Sequence, residues 1–153
     1  MKLSEHFDLN EFTRSATADR LHIDNSLNPS DPTGQSIINN LRNLCQQVLE
    51  PLRQHFGTPV VISSGYRCPA LNRAVGGVPN SQHLKGEAAD IVPPYNQRQT
   101  PYTLKAWFDW LKDHTDFDQL ILEHDSKGNY WIHVSCRKNR KANRHQVFYD
   151  LKK

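Results

Sequence analysis

Cysteine is scarce in this chain: Cys45, Cys68 and Cys136 are the only three in 153 residues. An odd number leaves at least one unpaired, and no two stand at C-x-x-C spacing. Neither a disulfide framework nor a cysteine-built zinc knuckle is expected, and a reducing compartment fits best. Long hydrophobic runs are missing as well. No segment approaches the ~20 apolar residues of a membrane span. The opening "MKLSEHFDLNEF" has a lysine without the apolar run of ~7 to 15 residues that marks a secretory signal. Repeats and low-complexity tracts are absent, and the formal net charge is only +3.

What is present is a globular composition, with 37% hydrophobic residues, three Trp, five Tyr and six Phe. The length is close to the commonest domain size, so one domain spanning 1–153 with a core that needs no staples is expected, as a monomer. Charge is spread unevenly. Arg137, Lys138, Arg140, Lys141, Arg144, Lys152 and Lys153 fall in the last 17 residues against one acid, Asp150. The plain reading of 137–153 is a solvated basic tail; the sharper one is contact with a polyanion. Nothing else in the chain supports nucleic-acid binding, and none is expected.

Along the chain, "FDLNEFTRSATADRLHID" suggests a short helix and a turn, and "NPSDPTG" a loop. From Ser36 the apolar positions Ile37, Ile38, Leu41, Leu44, Cys45, Val48, Leu49, Leu52 and Phe56 recur every three or four residues, which predicts an amphipathic helix with Cys45 in its core stripe. Gly57 and Pro59 end it, and "PVVISS" reads as a strand. The segment "GYRCPALNRAVGGVPNSQHLKGEA" is loop-like, and long ordered loops are disproportionately functional. "ADIVP" is a brief strand. Thr100 before Pro101 resembles a helix N-cap, with Leu104, Trp107, Phe108 and Leu111 as the apolar stripe. "FDQLILEH" and "YWIHVSC", separated by "DSKGN", predict a β-hairpin.

Chemistry concentrates in "SQHLKGEAAD". His83 and Asp90 are seven positions apart, which on a helix would separate their backbones by ~10.5 Å. Gly86 between them lets the chain double back instead, so that both side chains reach one point. His133, on the second hairpin strand, is the best third partner. Two histidines and a carboxylate, with a fourth position left open, is a recurring catalytic zinc arrangement. Taken alone, any His-Asp-His triple in a chain with eight histidines is weak evidence, and an ordinary hydrogen-bonding His83 is the plainer reading.

The surrounding residues sharpen this. "SQHLKGEAAD" fits S-x-H-x-x-G-x-A-x-D, "SGYRCPALNRAVGG" resembles S-G-Y-R-x-P-x-x-N, and "YWIHVS" resembles W-x-H-x-S. All three, in this order, resemble the D-Ala-D-Ala carboxypeptidase and L-alanyl-D-glutamate endopeptidase superfamily, zinc peptidases of peptidoglycan that share the hedgehog-like fold. The similarity runs from "LNEFTRSATA" through Ser135. It implies an α+β fold, a small antiparallel sheet with helices packed on one side. It implies Zn2+ held by His83, Asp90 and His133, with Arg67 binding substrate and polarising its carbonyl. Ser81 is implied as a substrate contact.

The chain departs from the family at the general base. Where several members carry [DE]-x-x-H before the last ligand, this sequence has Tyr130. Glu123 is the replacement the hairpin offers. In a register that sums to 256 it lies opposite His133, whereas a one-residue shift turns it to the other face. Asp125 and Glu87 are weaker substitutes. Trp131 shares the His133 face and is a candidate to flank a peptide groove, with core packing as its alternative. Cys136 faces away, and Cys68 and the other histidines are read as bystanders.

The leading expectation is a zinc metallopeptidase hydrolysing an amide in the peptide stem of peptidoglycan. The alternative is a catalytically inactive, zinc-containing wall-binding or phage structural module. Without a visible signal, cytoplasmic accumulation is expected, with release to the wall through a separate lysis pore, as in a phage or prophage lysis enzyme. The scissile bond stays open among D-Ala-D-Ala, L-Ala-D-Glu and cross-bridge linkages.

Overall fold

The computed structural model describes residues 1–95 and 101–153. The chain begins with a two-stranded antiparallel ribbon, β1 (Lys2–Ser4) and β2 (Phe7–Asp8), followed by α1 (Leu9–Thr13) and α2 (Ala16–Leu21). The expected short helix and turn are therefore two short helices behind a ribbon. Asp8 caps α1 in a full capping box with Glu11, and Ser15 caps α2 through Ala18 N, which is why so short a segment breaks into two helices.

The predicted long helix is present but not uniform. It runs as α3 (Pro32–Leu44), a π turn over Cys45–Leu49, and α4 (Glu50–Phe56), which Gly57 ends in the left-handed region. Pro51 explains the widening. It has no N–H to continue the α ladder and its ring crowds the carbonyl four residues back, so the helix opens just before it, with Glu50 N donating to Cys45 O. The stripe Ile38, Leu41, Leu44, Cys45, Val48, Leu49 and Leu52 is fully buried, Cys45 included.

Five strands form the main sheet: β3 (Val61–Ser64), β4 (Ala88–Val92), β5 (Gln119–His124), β6 (Tyr130–Ser135) and β7 (Gln146–Lys152), in the order β3-β4-β6-β5-β7. The first four strands pair antiparallel, while β7 lies parallel to β5. The α+β architecture holds, with the sheet mixed at this edge. Between β3 and β4, the expected loop contains α5 (Pro69–Ala74) and a 3-10 turn at Gln82–Lys85. Between β4 and β5 lies α6 (Pro101–His114); its expected cap Thr100 lies outside the described residues.

One face of the sheet is core. Ala89, Ile91, Leu120, Ile132 and Val134 join the helix stripe and Trp107, Phe108 and Leu111 of α6 in a single buried cluster. Alternation along each strand then sends Asp90, Ile121, Glu123, Trp131 and His133 to the opposite face.

The C-terminal segment corrects the expectation of a solvated tail. It supplies β7, and its arginines are spoken for: Arg137 and Arg144 pair with Asp118, and Arg140 with Asp116. Asp118 is completely buried. Burial would raise its pKa, but the Arg144 hydrogen bonds and the charges of both arginines bring it down to about 2. A basic run that looks free in sequence is here the counter-charge of two acids that precede β5.

Candidate metal centre

His83 sits on the 3-10 turn that Ser81 caps, its hydroxyl accepting from His83 N at 3.2 Å. Gly86 ends the turn at φ 73°, and a Cβ there would stand 2.7 Å from the Ile37 carbonyl oxygen. Only glycine turns the chain this sharply against α3, and four residues later Asp90 stands in β4. Register does the rest. Asp90 is directly opposite His133 across β4 and β6, and opposed side chains on one face are neighbours.

The His83 Nδ1 lies 2.7 Å from the Gly65 carbonyl oxygen. A carbonyl only accepts, so Nδ1 carries the proton and the Nε2 lone pair is free. That Nε2 is 3.4 Å from Asp90 Oδ1, and His133 Nδ1 is 3.0 Å from the same oxygen. All three ligand atoms lie within 4.8 Å of one another. Bonds of about 2.0–2.1 Å at tetrahedral angles would separate donors by roughly 3.3–3.4 Å, so this two-nitrogen, one-oxygen set fits zinc with one position open. Among the described residues it is the only group of three that can hold a metal.

The electrostatics favour the ligating forms. Burial lowers the His83 pKa, against the pull of Asp90, and so favours the neutral ring. Burial alone would raise Asp90, but the charges and hydrogen bonds of His83 and His133 hold its carboxyl well below the usual range. Metal ligands must be deprotonated, and the directions at His83 and Asp90 favour that form.

Arg67 borders this cluster. Its Nε donates to Ser64 Oγ at 3.1 Å and one terminal nitrogen to Asn72 Oδ1 at 3.2 Å, while the other is 3.5 Å from Asp90 Oδ2. Burial lowers its pKa, opposed by the charges of Asp90 and Glu123. Asn72 is buried and also donates to Val78 O, tying the arginine to the following loop. A Cβ on Gly77 would stand 2.0 Å from Asn72 Oδ1, so that approach requires glycine.

Glu123 is not opposite His133. The register is two residues from the one that would place it there: Ile121 faces His133, and Glu123 faces Trp131. A shift of two preserves the face, so Glu123 still lines the cleft of about 540 Å³ that contains Arg67, Ser81, His83, Asp90, Trp131 and His133. Its side chain is buried, at 2% exposure. Oε1 accepts from Trp131 Nε1 at 2.9 Å, and Oε2 is 3.0 Å from Lys153 Nζ, an ion pair outside hydrogen-bond geometry. Trp131 thus does more than flank a groove: it holds the carboxylate.

Tyr130, Asp125 and Glu87 do not line this cleft. Asp125 instead braces the hairpin turn through Lys127 and Asn129, and Tyr130 packs on His124. Cys136 is buried in the core and Cys68 caps α5 through Leu71 N. A larger groove, about 650 Å³, lies between α6 and the hairpin. It holds no histidine or cysteine, and of the metal cleft's residues only Trp131 borders it.

Asn72, Asp118, Arg144 and Lys153 also shape or support the cleft; sequence reasoning passed over the first two and named Arg144 and Lys153 only as part of the basic tail. Asn72 lay inside the quoted "SGYRCPALNRAVGG". Val147 and Tyr149 alternate as a strand would, a signal for β7 that the surrounding basic residues masked.

No curated protein matches this chain. A family description does, across residues 5–135, and that span holds every motif gathered at the cluster: the arginine loop of β3, the His83 turn, β4 and β6. The chain belongs to the Peptidase M15 family, within the zinc D-Ala-D-Ala carboxypeptidase superfamily.

Proposed function

We propose that the protein is a zinc-dependent peptidase that hydrolyses an amide bond in the peptide stem of bacterial peptidoglycan. His83, Asp90 and His133 are the ligands. When bound, zinc supplies a Lewis acid that polarises a carbonyl and makes water acidic enough to attack at neutral pH. The observation that carries the reading is Glu123, a buried carboxylate on the same sheet face and in the same cleft as the three ligands.

Glu123 takes the proton from the attacking water and returns it to the leaving amine, as one base serving both halves of the reaction. Trp131 and Lys153 hold that carboxylate from its two oxygens. Arg67, fixed by Ser64 and Asn72, offers guanidinium donors toward the oxygen that gains charge. Ser81 and Trp131 border the peptide. Carboxypeptidase and endopeptidase cleavage both fall within this reading, and lysis of a host wall by a phage or prophage is a setting for either.

The test is release of new amino groups from purified sacculi, with muropeptides read by mass spectrometry. Glu123→Gln lowers kcat by roughly 10²–10⁴-fold with zinc content unchanged. Unchanged hydrolysis with zinc bound removes Glu123 as the base. A folded, zinc-loaded protein that opens no stem amide removes the peptidase reading and leaves a wall-binding module.

A further inference from the structure

Beyond residue 135, where the family match ends, the chain returns to the cleft and lines it with Arg144 and Lys153. The two differ. Both side chains reach solvent, Lys153 at 52% and Arg144 at 40% exposure, but the Lys153 charge only faces Glu123. Arg144 is built in: its Nε lies 3.0 Å from Asp118 Oδ1, its NH2 2.7 Å from Oδ2, and its own backbone N 2.8 Å from Oδ1. Asp118 is completely buried and is fixed further by Gln82 Nε2 at 3.0 Å and Arg137 Nε at 3.3 Å. Two nitrogens of the fork are therefore used and the plane is set. The third, NH1, makes no hydrogen bond among the described residues.

A planar fork locked on one edge is a preorganised receptor for a carboxylate on the other, because its rotamer entropy is already lost. The cleft lining also favours an anion. It carries Arg67, Arg144 and Lys153 against Asp90 and Glu123, with the Arg144 charge shared with Asp118 behind it, before any divalent metal adds its charge. Glu87, a further acid whose charge reaches Arg144, is not part of that lining.

We infer that Arg144 is a specificity-determining residue that docks a carboxylate of the substrate, making the enzyme selective for acidic peptides. This rests on the peptidase reading above. Asp118 adjoins Gln119 at the start of β5, Ile121 faces His133, and Glu123 lies further along. Asp118, which anchors Arg144, therefore lies on the side of Ile121 and His133 away from Glu123, and the carboxylate docks toward that end of the cleft.

The experiment compares the zinc-loaded protein and its Arg144→Gln and Arg137→Gln variants on one stem peptide in two forms, carboxylates free and carboxylates amidated. Arg137 shares Asp118 but does not line the cleft, so it reports any merely structural effect. The unmodified protein should favour the free form by roughly 10- to 100-fold in kcat/KM, chiefly through KM. Arg144→Gln should lose that preference and Arg137→Gln keep it. Retention of the preference in Arg144→Gln, or equal loss in both variants, overturns the inference. If neither peptide nor sacculi are cleaved, the peptidase reading has failed separately. Calorimetric binding of the two forms then decides: an Arg144-dependent difference in Kd supports the carboxylate site, and equal binding ends it.

Discussion

Asp90 and Asp118 are both buried carboxylates, both held by nitrogen donors and both depressed in pKa, yet they serve opposite ends. Around Asp118 the charged partners are arginines, which never surrender a proton and have no lone pair to give. That cluster offers no ligand to a metal; it fixes the guanidinium planes around Asp118, that of Arg144 at the cleft included. Around Asp90 two of the partners are imidazoles whose nitrogens carry lone pairs when neutral, and the group opens on a cleft. The same buried charge becomes a clamp beside guanidinium and, beside histidine, a group able to hold a metal.

The contrast can be broken most severely at the metal seat. His133→Ala leaves two donors, and zinc measured by elemental analysis should fall to a small fraction of one per chain, with stem hydrolysis abolished while the fold persists. Retention of stoichiometric zinc would mean the ion sits elsewhere.

At the clamp the expected effect is on stability instead. The Asp118 carboxyl titrates lower in the folded chain, near about 2, than the 3.8 of a free side chain. The unfolded state therefore binds its proton first as pH falls. Its stabilisation, about 2 kcal/mol, is complete above about pH 4 and is lost as pH falls through the folded value. Asp118→Asn should lower denaturant stability by about 2 kcal/mol at pH 7, converge on the unmodified protein near pH 2, and leave zinc content untouched. A parallel pair of stability curves across that range would show that the clamp is not electrostatic.

The smallest effect belongs to Lys153. It is half-exposed, and exposed pairs contribute about 0–1 kcal/mol. Lys153→Ala should change kcat by no more than about fivefold, because Trp131 still holds Glu123. A larger loss would place Lys153 with the catalytic groups.

Much of this was legible in order along the chain. The amphipathic stripe from Ile37 to Phe56 identified the main helix and put Cys45 in the core, since periodicity is a local signal of burial. Its π turn was not legible, although Pro51 stood in plain view, because a ladder can accommodate proline in more than one way. The hairpin of "LILEH" and "YWIHVS" was apparent from alternation, but alternation is indifferent to a shift of two. Glu123 therefore kept the right face while its partner changed from His133 to Trp131. The basic segment misled most: charge composition reports solubility and says nothing of the acids that wait for it elsewhere.

The sequence by itself determined which residue types were available for chemistry: two histidines and an aspartate around a glycine turn, an arginine loop, and no cysteine set to compete with them. Those are matters of side-chain chemistry and local backbone freedom. Tertiary structure alone decided that Asp90 meets His133 across β4 and β6, that Glu123 is buried, and that the last residues return to line the cleft. Each of these depends on strand register and on pairing between segments tens of residues apart, which only the packed core selects.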